Sequence, residues 1–113
     1  MSSPEILVSI VIPTYNEEEA IAVVLDDVTR AAKTLDCGWE IIVVNDGSTD
    51  GTCAICERYP HVRIVSHRRN LGNGAARTTG VKAARGQYVV MIDADATYPA
   101  EAIPRLVKEL ETC

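Results

Sequence analysis

Four apolar runs constrain this chain more than any other feature: ILVSIVI, EIIVVN, VRIVS and QYVVMI. Each is strand-sized, and each leads into a polar loop followed by a stretch of helical character. A strand–helix unit repeated four times predicts parallel strands, right-handed crossovers and helices over both faces of the sheet. The expected fold class is α/β, a three-layer Rossmann-like arrangement with a parallel sheet of four strands.

The intervening segments support this. In NEEEAIAVVLDDVTRAAKTL, the apolar residues Ile21, Val24, Leu25, Val28, Ala32 and Leu35 recur at helical spacing. Asn16 is expected to cap that helix, with Glu19 completing a capping box and Glu17 and Glu18 at the positive helix end. EIIVVN is continuously apolar, which predicts a strand buried on both faces. A short helix is expected to end near Tyr59, and AARTTGVKAA reads as a helix whose small residues permit close packing. Pro99 and Pro104 are expected to open a last helix, since proline is tolerated in a first turn.

The topology has a chemical consequence. PTYNE, NDGSTDG, HRRNLGNG and DADATYP all follow strands, so all four loops leave the sheet at its carboxyl edge, where such folds bind ligands. The opposite edge, with DCGWE, YPH and ARGQ, is chemically plainer.

Length and charge narrow the class. A chain of 113 residues makes one domain able to bury roughly 65% of its unfolded surface. A net charge of −5 argues against a nucleic-acid partner. Yet Arg58 to Ile92 holds no acid while carrying Arg58, Arg63, Arg68, Arg69, Arg77, Lys82 and Arg85, which suggests a local anion site or a solvated basic face. No apolar run approaches the roughly 20 residues of a membrane span, and MSSPEI lacks the pattern of a signal peptide. The expected location is cytoplasmic, including the cytoplasmic face of a membrane. The CAIC pair, Cys53 and Cys56, has no second CxxC to complete a zinc site, and packing thiols on a helix explain it best.

At the end of the fourth strand, Asp93 and Asp95 flank Ala94. In extended backbone such residues point the same way, roughly 7 Å apart, which suits a hard divalent cation, Mg2+ or Mn2+, that also binds substrate phosphates. The alternative, capping of the helix that begins near Pro99, needs only one aspartate. Tyr15 offers a face for base stacking, Glu17 an acceptor for ribose hydroxyls, and Asp46 an acceptor for base or ribose donors. Ser48, Thr49 and Asp50 read as ordinary turn and capping residues. GNGAAR departs from a dinucleotide fingerprint: its third glycine is replaced by Arg77 and it follows the third strand.

Taken together, SIVIPTYNEEEAI, EIIVVNDGSTDGT, NLGNGAARTTGVKAARGQYVVMIDAD and TYPAEAIPRLV resemble glycosyltransferase family 2, on the GT-A fold. The pattern is most similar to that of polyprenol-phosphate (dolichyl-phosphate) mannose and hexose synthases. The resemblance implies nucleotide contacts from Pro13, Tyr15 and Glu17, then from Val44 and Asp46, with Asp46 reading the base. It implies that Asp93, Ala94 and Asp95 form the DxD motif, with Asp93 and Asp95 holding the metal and acting in catalysis. Asn45 stands where the family often has a further aspartate.

The implied reaction transfers a sugar, with inversion, from a UDP- or GDP-sugar to an acceptor such as a polyprenyl phosphate or a glycan. Family members continue into an acceptor-binding half, so residues 1–113 are expected to be the donor-binding part of such an enzyme. A membrane surface or a partner chain supplying the other half would then be involved. Two further readings stand beside it: a nucleotide-sugar-binding module without turnover, and a nucleotidyltransferase. The latter would normally place its phosphate loop where this chain has PTYNE.

Overall fold

A computed structural model describes residues 6–95 and 102–112. The chain runs β1 (Ile6–Thr14), α1 (Ile21–Ala32), β2 (Gly38–Asp46), α2 (Thr52–Cys56), β3 (Val62–His67), α3 (Asn73–Ala83), β4 (Tyr88–Met91) and α4 (Ala102–Thr112). All strand pairs are parallel, in the order β3-β2-β1-β4. Ile10 of β1 lies between Ile41 of β2 and Val90 of β4. β1 and β2 are thus inner strands, and Ile10, Ile12 and the run Ile41–Val44 are fully buried, as a continuous apolar pattern requires. Burying each of these side chains contributes about 1.5–3 kcal/mol before entropy is counted.

The strand order also explains where the helices go. The chain steps outward from β1 to β2 to β3, then returns past β1 to form β4. Crossovers of one hand that reverse direction must change faces. α1, α2 and α4 share one core with β1 and β2, containing Ile21, Leu25, Val28, Cys56, Ile103 and Val107. α3 covers the other face, where Ala76 packs with Val11, Ile42 and Val44. α3 can approach this closely because position 80 is glycine: a Cβ there would overlap the side chain of Val11.

Alternation along β2 sends Ile41 and Val43 toward α1, and Glu40, Ile42, Val44 and Asp46 toward α3. The α3-facing stripe is therefore apolar in the middle and acidic at both ends. At its amino end, the Glu40 carboxylate accepts from the Ser9 hydroxyl (2.6 Å), the Arg63 guanidinium (3.1 Å) and the Arg85 backbone N–H (2.7 Å). Gly86 N–H donates to Ser9 Oγ, and Arg63 also donates to the carbonyl of Ala83. This network ties the exit of α3 to three strands.

Two local expectations need correction. α1 begins at Ile21, its N-cap is Ala20, and no side chain caps it. Asn16 instead adopts a left-handed conformation, φ 50, and turns its amide toward the β2–α2 loop, so the capping box does not form. α4 does carry Pro104 in its first turn, whereas Pro99 lies outside the described residues. Cys56 is fully buried, and burial, with Cys53 and Glu57 nearby, pushes its thiol up to about 11. That agrees with packing rather than redox chemistry. Among the described residues, no helix is long and apolar enough to cross a membrane.

Candidate functional site

The loops leaving β1, β3 and β4 and the end of β2 surround a cleft of about 520 Å³ at the carboxyl edge. It opens at the point where the strand order reverses, between β1 and its neighbours, as expected for an open parallel sheet. Pro13, Thr14, Tyr15 and Glu17 come from the end of β1, and Asp46 from the end of β2. Asn70, Gly72, Asn73 and Ala76 form the wall between β3 and α3, and Asp93, Ala94 and Asp95 follow β4.

Asp46 is the most constrained of these residues. It is 2% exposed, and both carboxylate oxygens are engaged by the chain itself. Oδ1 accepts from the N–H of Leu71 (2.9 Å) and from His67 Nδ1 (2.7 Å). Oδ2 accepts from the N–H of Gly72 (2.9 Å) and the Asn70 amide (3.2 Å). Burial pushes this carboxyl up. The hydrogen bonds from His67, Leu71 and Gly72 and the His67 charge outweigh burial, holding the carboxyl below its ordinary value. A carboxylate offers about four lone-pair sites, and four donors already use them. A ligand donor reaching Asp46 must share an oxygen or displace the Asn70 amide, its longest contact.

The first two loops are laced together. Thr49 N–H donates to the Asn16 side-chain oxygen (2.8 Å), Asn16 N–H to Ser48 Oγ (3.0 Å) and Glu17 N–H to Thr52 Oγ1 (2.9 Å). Gly51 N–H donates to Glu18 Oε1 (2.7 Å). The loop after β2 meets the loop after β3 at Gly47, whose φ of +74 and contact with the backbone of Arg69 and Asn70 leave no room for a Cβ. Ser48 and Thr49 therefore do more than shape their own turn, since they fix the segment that presents Tyr15 and Glu17. Tyr15 is 44% exposed, leaving a ring face open to the cleft.

Asp93 and Asp95 are both exposed, on either side of buried Ala94, but β4 ends at Met91 and Ala94–Asp95 lie in a turn rather than in extended strand. Among the described residues, no three His, Cys, Asp or Glu side chains converge on one point. A cation on Asp93 and Asp95 would complete its shell with water and ligand oxygens, the habit of Mg2+ and Mn2+. The two exposed carboxylates at the cleft rim thus fit such an ion.

Seven of the eight residues expected at a nucleotide site, Pro13, Tyr15, Glu17, Asp46, Asp93, Ala94 and Asp95, line this one cleft. Val44 does not; its side chain is fully buried under α3, in the core with Val11, Ile42 and Ala76. The basic run does not gather here either. Arg63 pairs with Glu40 at the opposite edge, and Arg77 is exposed outside the cleft. Sequence reasoning missed Asn70 and Asn73, although the polar, glycine-rich HRRNLGNG carried the signal.

A parallel sheet with helices on both faces, carrying a cleft at its switch point with two acids at the rim, defines a Rossmann-like fold of the GT-A class. Residues 9–112 match the model of Glycosyl transferase family 2. The chain belongs to that family. It is 35% identical, over 98% of its length, to a dolichyl-phosphate beta-glucosyltransferase (ALG5C) of Trichomonas vaginalis, covering 36% of that protein. It is 38% identical, over 98% of its length, to an undecaprenyl-phosphate 4-deoxy-4-formamido-L-arabinose transferase of Yersinia pestis, again covering 36% of the relative. Among solved structures, it superposes on the mannosyltransferase PcManGT of Pyrobaculum calidifontis, in complex with GDP-Man and Mn2+. The TM-score is 0.79 at 31% identity, covering 96% of this chain and 34% of that one. Glucosyl-3-phosphoglycerate synthase of Mycobacterium tuberculosis, with UDP and Mn2+, gives a TM-score of 0.77 at 31% identity, over 92% of this chain and 39% of that one. The chain spans little more than a third of the length of the curated relatives it matches.

Proposed function

We propose that this chain is the donor-binding part of a glycosyltransferase that transfers a hexose, with inversion, from a UDP- or GDP-sugar to an acceptor such as a polyprenyl phosphate. The convergence of Tyr15, Glu17, Asp46, Asp93 and Asp95 on one cleft carries this reading. It is supported by relatives named as polyprenyl-phosphate sugar transferases and by similar structures holding UDP or GDP-Man with Mn2+.

Each group has a task in this reading. The Tyr15 ring stacks on the base, Glu17 accepts from the ribose hydroxyls, and Asp46 stands at the base edge beside the Asn70 amide. Asp93 and Asp95 hold a divalent cation, which when bound neutralises charge on the donor diphosphate. In the transfer, the bond from the anomeric carbon to the diphosphate oxygen breaks as the acceptor oxygen bonds to the opposite face of that carbon. The nucleoside diphosphate leaves with the electron pair. An acceptor phosphate is already an anion, so the chain need not supply a base for it.

The test is calorimetry of UDP and GDP with the purified 113-residue chain, with and without Mn2+. The expected result is metal-dependent binding of one of them, abolished in Asp93→Asn. Wild-type chain that binds neither nucleotide with the metal would overturn the reading, and unchanged affinity in Asp93→Asn would remove that residue's role. Release of sugar from a labelled donor separates a complete enzyme from a module that only binds.

A further inference from the structure

The motif that marks Asp46 says nothing of what holds it, and the structure supplies the missing part. His67, the last residue of β3, lies between Asp46 and α3. Its Nδ1 is 2.7 Å from Asp46 Oδ1, and its Nε2 is 2.8 Å from Thr79 Oγ1. A carboxylate only accepts, so Nδ1 carries a proton toward Asp46, while Nε2 meets the Thr79 hydroxyl. The His67 and Asp46 side chains are 12% and 3% exposed, so this chain of hydrogen bonds is shielded from water at its cleft end. Hydrogen bonds to a charged acceptor in such surroundings are short and strong.

We infer that His67 is a positioning residue for nucleotide binding: anchored to α3 through Thr79, it fixes the Asp46 carboxylate and, through it, the Asn70–Gly72 wall of the cleft. This rests on the functional reading above and adds the residue that sets the base-side geometry. The reasoning is one of capacity. Asp46 must keep the N–H groups of Leu71 and Gly72 satisfied while facing the cleft, and His67 is its shortest contact and the one that ties it, through Thr79, to the body of α3. Without His67, Oδ1 keeps only the Leu71 N–H while Oδ2 keeps Gly72 and Asn70, so the carboxylate loses its shortest hold and its link through Thr79 to the body of α3.

The experiment compares wild type, His67→Ala, His67→Asn and Thr79→Val by calorimetry with Mn2+ present, using UDP, GDP and inorganic pyrophosphate as probes. His67→Ala is expected to weaken the preferred nucleoside diphosphate about tenfold, the effect of losing one charge-assisted hydrogen bond. Pyrophosphate, which depends on Asp93 and Asp95, is expected to bind as it does to wild type. His67→Asn, whose amide can replace Nδ1–H, is expected to recover most of the loss, and Thr79→Val to show a smaller loss of the same kind. A purely structural role would lower the melting temperature while leaving the ratio of nucleotide to pyrophosphate affinity unchanged. That unchanged ratio, in folded His67→Ala or in Thr79→Val, overturns the inference while the functional reading stands. Failure of wild type to bind any nucleotide removes both.

Discussion

Glu40 and Asp46 sit at opposite ends of the same strand, point to the same side and grip opposite ends of the same helix. Glu40 accepts the N–H of Arg85, just past α3, and Asp46 accepts the N–H groups of Leu71 and Gly72, just before it. Both use β3 for a second hold: Arg63 on Glu40, His67 on Asp46. The difference lies in what else is nearby. Around Glu40 the remaining donors are internal, from Ser9 and Arg85, and no described cleft includes it. Asp46 ends β2, next to the switch point between β1 and β4, and there the same device borders an open volume. One construction thus meets only internal donors at one edge, and borders an open cleft at the other.

The sharpest way to break this comparison is to remove the carboxylate at the cleft. Asp46→Ala strands the N–H groups of Leu71 and Gly72 and the Nδ1–H of His67. Removing one partner of such a buried set costs about 3–5 kcal/mol, against a total stability of about 5–15 kcal/mol for a domain of this kind. Urea unfolding is expected to show this loss together with loss of nucleotide binding. A variant as stable as wild type would show that the internal donors of Asp46 find other acceptors.

Glu40→Ala gives the matching control. Its Arg63 pair is partly solvated, with 35% of the arginine side chain exposed, so the ion pair itself is worth little. The larger loss is the acceptor for the fully buried Ser9 hydroxyl. Together these predict about 2 kcal/mol of destabilisation by urea unfolding. Nucleotide affinity is expected to match that of wild type. A large affinity loss would show that the two ends of α3 are mechanically coupled and that the edges do not divide their tasks.

The sequence made the scaffold legible and left the two networks hidden, for a physical reason. Strand and helix periods are local, so the eight elements, the carboxyl-edge loops and the Asp93/Asp95 pair could be read from neighbouring residues. The donors to Asp46 lie 21 to 26 residues away in sequence, and those to Glu40 lie 23, 31 and 45 away. Such contacts exist only once parallel pairing has set the register, and a motif records a residue type without its partners. Asn16 departs from its capping pattern for the same reason, since its partner Thr49 is 33 residues on. Val44 matched a binding position by motif, yet the alternation of β2 turns its side chain into the core beneath α3.

Acid titration sharpens the comparison by the smallest effect. Burial alone would raise the Asp46 carboxyl, but the hydrogen bonds from His67, Leu71 and Gly72 bring it below its ordinary value of 3.8. A group whose value is lower in the folded chain stabilises the fold above the unfolded value, and that contribution is lost as pH falls below it through the folded value. The stability gap between wild type and Asp46→Ala is therefore expected to narrow as pH falls below about 4, where the Asp46 carboxyl itself takes up a proton. Urea midpoints of both proteins, measured from neutral pH to about pH 2.5, test this, because every other carboxylate is common to the pair and drops out of the difference. A gap that stays constant through the acid range would mean that the donors around Asp46 hold a carboxylic acid as well as they hold its anion. The carboxylate would then no longer be the element organising the cleft wall.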